Sequence, residues 1–422
     1  MQEHKPRAFF YGYIIVIAGF FAMLAYSASR SVFGIFFNPM INELHWSAAL
    51  LSGAFSLSII MDGTLGIVMG KLTDRFGPKT ILISCGLLAG AGYLLLSRVT
   101  NLWQMYLVYG IIIGTGMSGV FIPVITNLSR WFIARRSTMN GIVLTGMGLG
   151  TLIVSPIAYW LVSTYSWQTA YIAIGIAFLF VVLVSAQFMR QDPFKMGQQP
   201  FTKIIPGQLK MKEDSKSYSL VEALRTKELW LVFVMFFFFG YCAMSISVHV
   251  VPHIINLGIS AATASLILAV IGGVNIAGRL TFGWIGDRLG PRQAYGLGLV
   301  IIAGSALWLL FIKDVWMLYI FAVLWGFSAG GMGSVQTSIV AELFGVKSIG
   351  IIFGFCGMGV MVGGSVGPVI SGHLFDVTGN YQVAFLICAV FAVAGAGMNL
   401  WLGHRRFKRP FATSEPGGQS RS

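Results

Sequence analysis

Long apolar runs broken by short polar stretches dominate this chain. Twelve runs reach spanning length, at 11–37, 47–70, 80–98, 103–127, 138–162, 168–188, 229–256, 262–285, 292–311, 315–340, 349–373 and 381–403. Crossing the hydrocarbon core takes roughly 20 mainly apolar residues in a helix. In lipid a spanning segment must satisfy its own backbone polar groups, which leaves helices or closed barrels. The pattern therefore predicts an all-α membrane protein of twelve transmembrane helices. None of the runs reads as a cleaved signal peptide. The longest polar break, 189–228, divides the chain into an N-terminal six-helix bundle (1–188) and a C-terminal one (229–411). The Ser/Gly/Pro-rich tail 412–422 is expected to be disordered.

Composition agrees, with 56% hydrophobic and only 10% charged residues, too few charges to cover a soluble surface. The net charge of +14 would raise nucleic acid as a partner in a soluble chain. Here topology accounts for it. Lys71, Arg75, Lys79, Arg130, Arg135, Arg136, Arg288, Arg292 and Lys347, both chain ends and the lysine-rich linker fall on one side, against Arg98 and Lys313 on the other. Positive residues mark the cytoplasmic side, so both termini and the linker are expected there, in a cell membrane. Cys85, Cys242, Cys356 and Cys388 sit inside apolar runs without metal-ligand spacing and read as small packing residues. No nucleotide-binding loop, metal cluster or nucleophile–base arrangement stands out. Neither an enzyme nor a cofactor is expected.

The halves repeat each other. Gly70-Lys-Leu-Thr-Asp74-Arg75-Phe-Gly77-Pro78-Lys79 recurs 213 residues later as Gly283-Trp-Ile-Gly-Asp287-Arg288-Leu-Gly290-Pro291-Arg292. Gly110 and Gly114 recur as Gly326 and Gly330, and Gly146 and Gly150 before Pro156 recur as Gly363 and Gly367 before Pro368. Small residues four apart let helix backbones approach closely in lipid, as rocking halves would require. Parallel repeats are a recognised transporter plan.

The duplicated segment resembles the signature loop of the major facilitator superfamily, and the resemblance covers almost the whole chain. It implies two bundles around a central cavity, worked by alternating access. Gly70, Asp74, Arg75, Gly283, Asp287 and Arg288 would then be a conformational latch at the cytoplasmic gate rather than substrate ligands.

Three ionisable residues fall well inside the runs: Arg30, Asp62 and Arg279. Such groups are costly, about 2.5–3.5 kcal/mol each on insertion scales, and by default face a cavity or a partner. Two arginines in opposite halves would bracket a small anion with their planar donor forks. Snorkelling of Arg30, or an interhelical tie by Arg279, is the plainer alternative. Asp62 reads equally as a switchable proton site or as the fixed partner of one arginine. His249 and His253 share a helix face, without a third metal ligand, and favour a hydrogen-bonded pair at the membrane boundary over proton entry. Pro252 is expected to kink or end that helix.

The eighth run is similar to that of monocarboxylate transporters and oxalate:formate exchangers, which place a substrate-binding arginine where Arg279 stands. The monocarboxylate family has an aspartate four residues earlier, where this chain has Asn275. It also has a span-one lysine, near which Arg30 falls. The exchanger's lysine of span eleven aligns with Cys356, which weighs against a dianion clamp. Tyr11-Gly-Tyr and Phe36-Phe37-Asn-Pro also resemble this group. The resemblance implies a carrier of small monocarboxylates such as lactate or pyruvate, coupled to H+. Arg279, Arg30 and Asn275 would bind substrate and Asp62 would carry the proton. Anion-for-anion exchange and a non-transporting anion sensor are the rivals. The expected partners are the substrate anion, H+ and the bilayer, with no nucleic acid, and the chain is expected to act as a monomer.

Overall fold

A computed structural model describes residues 10–46, 48–202 and 217–407. Among them twelve helices are long and apolar enough to cross a membrane. We label these α1 (Gly12–Phe37), α2 (Gly53–Phe76), α3 (Pro78–Leu96), α4 (Leu102–Trp131), α5 (Arg136–Thr164) and α6 (Trp167–Phe188) in the first bundle. The second holds α7 (Lys227–Asn256), α8 (Leu266–Leu289), α9 (Pro291–Leu309), α10 (Val315–Phe344), α11 (Ile349–Thr378) and α12 (Gln382–Leu402). The side where α6 leaves and α7 enters is called the linker face. The expected tail 412–422 and the lysines at 203–216 lie outside the described residues, as do Lys5 and Arg7.

Several expected boundaries move. The duplicated signature is not a loop. α2 stays helical through Asp74 and Arg75 to Phe76, and α8 through Asp287 and Arg288 to Leu289. Only Gly77 (φ +86°) and Gly290 (φ +106°) break the helices, in a backbone region that L side chains rarely adopt. Pro78 and Pro291 then open α3 and α9, where a missing N–H costs nothing. Pro252 does not end α7, which runs on to Asn256. α4 widens to a π-helical stretch over Tyr106–Ile113, which no pattern in the chain announced.

The repeated glycines seal equivalent helix pairs inside each bundle. Gly110 and Gly114 lie against Leu57 and Ser58 of α2, and Gly326 and Gly330 against Ile271 and Asn275 of α8. Gly146 and Gly150 meet the backbone of Phe20 and Leu24 in α1, and Gly363 and Gly367 that of Phe237 and Tyr241 in α7. A side chain at these positions would hold the backbones apart. These glycines therefore build the bundles rather than the surface between them. That surface uses others: Gly70 faces Gly350, Gly66 faces Gly354, Gly141 faces Arg279 and Gly283 faces Ser137. The four cysteines are free and buried, in keeping with a packing role.

The linker is tied to the first bundle by its backbone. Phe201 N–H donates to the Trp131 carbonyl at 2.8 Å, and the Phe201 carbonyl accepts from Ile133 and Ala134 at 3.1 and 2.9 Å. Tyr218 N–H donates to the Phe344 carbonyl at 3.0 Å, tying its far end to the second bundle.

Candidate functional site

Two carboxylates close the linker face. Asp74, on the last turn of α2, accepts N–H bonds from Gly350 and Ile351 at 3.1 Å each, and from Arg130 Nη2 at 2.7 Å. Asp287, on the last turn of α8, accepts from Ser137 and Thr138 N–H at 2.8 Å each. Gly350 and Ile351 open α11; Ser137 and Thr138 open α5. The first N–H groups of a helix have no partner within it, and its positive dipole end favours an anion. Each bundle therefore caps a helix of the other with a carboxylate.

The signature arginines take no part in these bonds. Arg75 lies over the Phe76 ring (5.1 Å) and Arg288 over Trp284 (4.3 Å), both rings about half exposed at 54% and 48%. The cation serving Asp74 is Arg130, a residue the charge pattern counted only as a loop charge. Gly70 and Gly283 support the same closure by letting α2 reach α11 and α8 reach α5.

Deeper between the bundles a short polar seam continues. Ser137 and Ser338 hydroxyls lie 2.8 Å apart, and Asn140 Nδ2 donates to Thr337 Oγ1 at 2.8 Å. Phe121 and Phe353 stack beside it, centroids 6.5 Å apart. All hydrogen bonds between the bundles found among the described residues belong to the linker-side half. The structure is thus closed at the linker face.

Arg279 lies on this seam. Its Nη1 donates to the Leu144 carbonyl of α5, and its own carbonyl accepts from Ser334 Oγ at 3.0 Å. The three ion pairs among the described residues are Arg30–Asp62, Arg130–Asp74 and Arg292–Glu342, so no carboxylate answers the Arg279 charge. Asn275, one turn earlier, lies against Gly330 of α10.

Arg30 does not share a contact with Arg279. Its Nη2 lies 2.8 Å from Asp62 Oδ2, and Tyr26 Oη donates to the same oxygen at 2.7 Å. Of the two expectations for Asp62, the structure shows the contact with an arginine. The pair is reachable only because α1 and α2 face each other here. A chain read residue by residue gives Tyr26, one turn before Arg30, no special standing.

The two histidines separate. His249 Nε2 lies 3.0 Å from the Pro368 carbonyl, whereas His253 packs between the rings of Tyr381 and Phe385. They form no mutual pair, and among the described residues no group of three metal-ligating side chains forms.

The Major Facilitator Superfamily model matches residues 19–281 and 244–420, two overlapping stretches that together take in nearly the whole chain. The chain belongs to the Major Facilitator Superfamily. Monocarboxylate transporter 13 of Rattus norvegicus is 29% identical over 418 residues, covering 96% of this chain and 92% of its own length. Human monocarboxylate transporter 11 is 26% identical, covering 92% and 82%. Among solved structures, human organic anion transporter MFSD10 matches with a TM-score of 0.68 at 12% identity, covering 94% of this chain and 100% of its own. The E. coli fucose:proton symporter FucP matches with a TM-score of 0.67 at 17% identity, covering 93% and 98%. At such identities these structures speak to fold alone. The superfamily fold, with its twelve helices, is that of a multi-pass membrane transporter, and within it this chain is similar to the monocarboxylate transporters.

Proposed function

We propose that this transporter carries small monocarboxylates of the lactate or pyruvate kind together with H+, by alternating access. The observation that carries the proposal is Arg279, a permanently charged fork at the boundary of the bundles, held by a backbone carbonyl and answered by no carboxylate among the described residues. A substrate carboxylate supplies the missing counter-charge and matches the planar donors. Asn275, one helical turn away, offers an amide to a substrate oxygen. The names of the similar relatives support the same substrate class.

Asp62 is the proton carrier in this reading, and Arg30 its neighbour and the second cation. The linker face is cytoplasmic, because the positive residues concentrate there. The protein works as a single chain in the cell membrane. In the conformation described, the Asp74 and Asp287 caps hold the cytoplasmic gate shut. Opening that gate means parting both carboxylates from α11 and α5 while the opposite side closes over the anion.

The experiment is uptake of labelled lactate and pyruvate into proteoliposomes under an inward proton gradient. Wild-type protein should accumulate substrate, and Arg279→Ala should abolish accumulation and counterflow. Undiminished transport by Arg279→Ala would refute the role of that residue. Uptake that requires internal anion and ignores pH would replace symport by exchange.

A further inference from the structure

Asp62 is 6% exposed, and both its partners engage one oxygen. Tyr26 Oη donates to Oδ2 at 2.7 Å and Arg30 Nη2 lies 2.8 Å from it, without the alignment of a hydrogen bond. Among the described residues no hydrogen bond reaches Oδ1. The Arg30 guanidinium also lies over the Tyr26 ring, 5.3 Å from its centre. That second contact does not depend on the carboxylate's charge.

We infer that Asp62 is a proton-operated cover for Arg30: ionised, it neutralises the guanidinium; protonated at Oδ1, it leaves that charge free to hold the substrate anion. This rests on the proposed reading of the protein as a proton-coupled anion carrier. It adds what that reading lacks, the means by which the proton is felt by the anion.

The surroundings make Asp62 the group that switches. The other charged or titratable groups near it are Tyr26 and Arg30 on α1, Tyr93 on α3, which donates to the Ser29 carbonyl, and Tyr109 on α4. Met361, which α11 lays against the adjoining Gly63, is uncharged. Among these groups Asp62 is the carboxyl; the others are phenols and a guanidinium. A proton taken from water onto Oδ1 leaves the Tyr26 bond to Oδ2 in place. The trio then goes from neutral to a single positive charge, which adds to that of Arg279 in attracting the anion. By linkage, whatever factor the proton adds to anion affinity, the anion adds to proton affinity. One proton therefore accompanies one anion, and Arg30 stays on the Tyr26 ring throughout.

The test measures lactate binding to purified full-length protein across pH, with transport in proteoliposomes. Asp62→Asn, a mimic of the protonated state, should bind lactate at every pH as tightly as wild type does in acid. It should keep counterflow and lose proton-driven accumulation. Arg30→Gln combined with Asp62→Asn should bind at least ten-fold more weakly than Asp62→Asn alone. Tyr26→Phe keeps the ring but removes the donor that favours the carboxylate, so the pH midpoint of binding should move upward. A wild-type pH dependence in Asp62→Asn, or equal lactate affinity with and without Arg30 in the Asp62→Asn background, would overturn the inference. A ligand-free readout separates it from the functional reading. Acidification should raise a protonated-carboxyl infrared band that Asp62→Asn lacks. If that band appears but wild type binds no monocarboxylate, the functional reading fails and the proton site stands. If lactate binds and no such band appears, the cover is refuted and the carrier reading survives.

Discussion

Asp74 and Gly350 are joined across the two bundles by a carboxylate–amide hydrogen bond of 3.1 Å. Its counterpart joins Asp287 to Ser137 at 2.8 Å in the opposite sense. The duplicated sequence thus becomes a reciprocal clasp, each half holding the first turn of a helix in the other.

Removing one charge from this clasp should loosen the linker face. Hydrogen bonds to a charged group contribute about 1.5–3 kcal/mol, so Asp74→Asn or Asp287→Asn should raise the open population roughly ten-fold or more (about 1.4 kcal/mol per decade). A cysteine at Phe353, 4% exposed on the seam, would report opening by its alkylation rate. The four native cysteines are buried and give little background. An unchanged rate in both variants would remove the clasp from the account.

Glycines on the surface between the bundles should be far less tolerant than glycines facing open space. A methyl group at Gly283 would meet the Ser137 carbonyl oxygen at 2.6 Å, and one at Gly70 would meet the backbone of Gly350. Nothing lies within 4 Å of one at Gly357. Gly70→Ala and Gly283→Ala should therefore prop the linker face apart and cut transport strongly, with folded protein still recovered. Gly357→Ala should transport like wild type. Equal tolerance at all three positions would contradict the close approach of α2 to α11 and α8 to α5.

The buried Asn140–Thr337 bond offers a subtler lever. Thr337→Val keeps the side-chain shape and leaves Asn140 Nδ2 without its 2.8 Å acceptor. A buried donor left unmade costs about 1–3 kcal/mol. Labelling at the Phe353 position should accelerate accordingly, while the melting temperature of each bundle's own packing changes little. A slower rate would mean that this bond opposes closure.

Arg279→Lys separates charge from geometry. Lysine keeps the positive charge but offers a point donor in place of a fork. If a carboxylate sits on the fork, apparent KM for lactate should rise about ten-fold, near 1.4 kcal/mol. A KM unchanged by Lys would assign Arg279 a purely electrostatic part.

Much of the architecture is legible along the chain because lipid is an exacting solvent. A stretch such as 168–188 has no other stable use than crossing, and α6 spans Trp167–Phe188. The duplicated Gly-Pro turns are equally legible, since Gly77 and Gly290 take positive φ and proline opens the next helix. The clasp was legible only in part. Asp74 and Asp287 stand out by repetition, yet their adjoining arginines turn to Phe76 and Trp284. Arg130, 56 residues away, is the cation that Asp74 uses.

The sequence by itself determined the twelve crossings, the two similar halves and the concentration of positive charge on one face. Each of these follows from composition over a local window, where burial in lipid allows few alternatives. Only the tertiary structure decided which partner each buried charge takes: Asp62 for Arg30, a backbone carbonyl for Arg279, the start of α11 for Asp74. Those pairings join residues tens to hundreds of positions apart, and they depend on how two rigid bundles lean together. No local pattern encodes that lean.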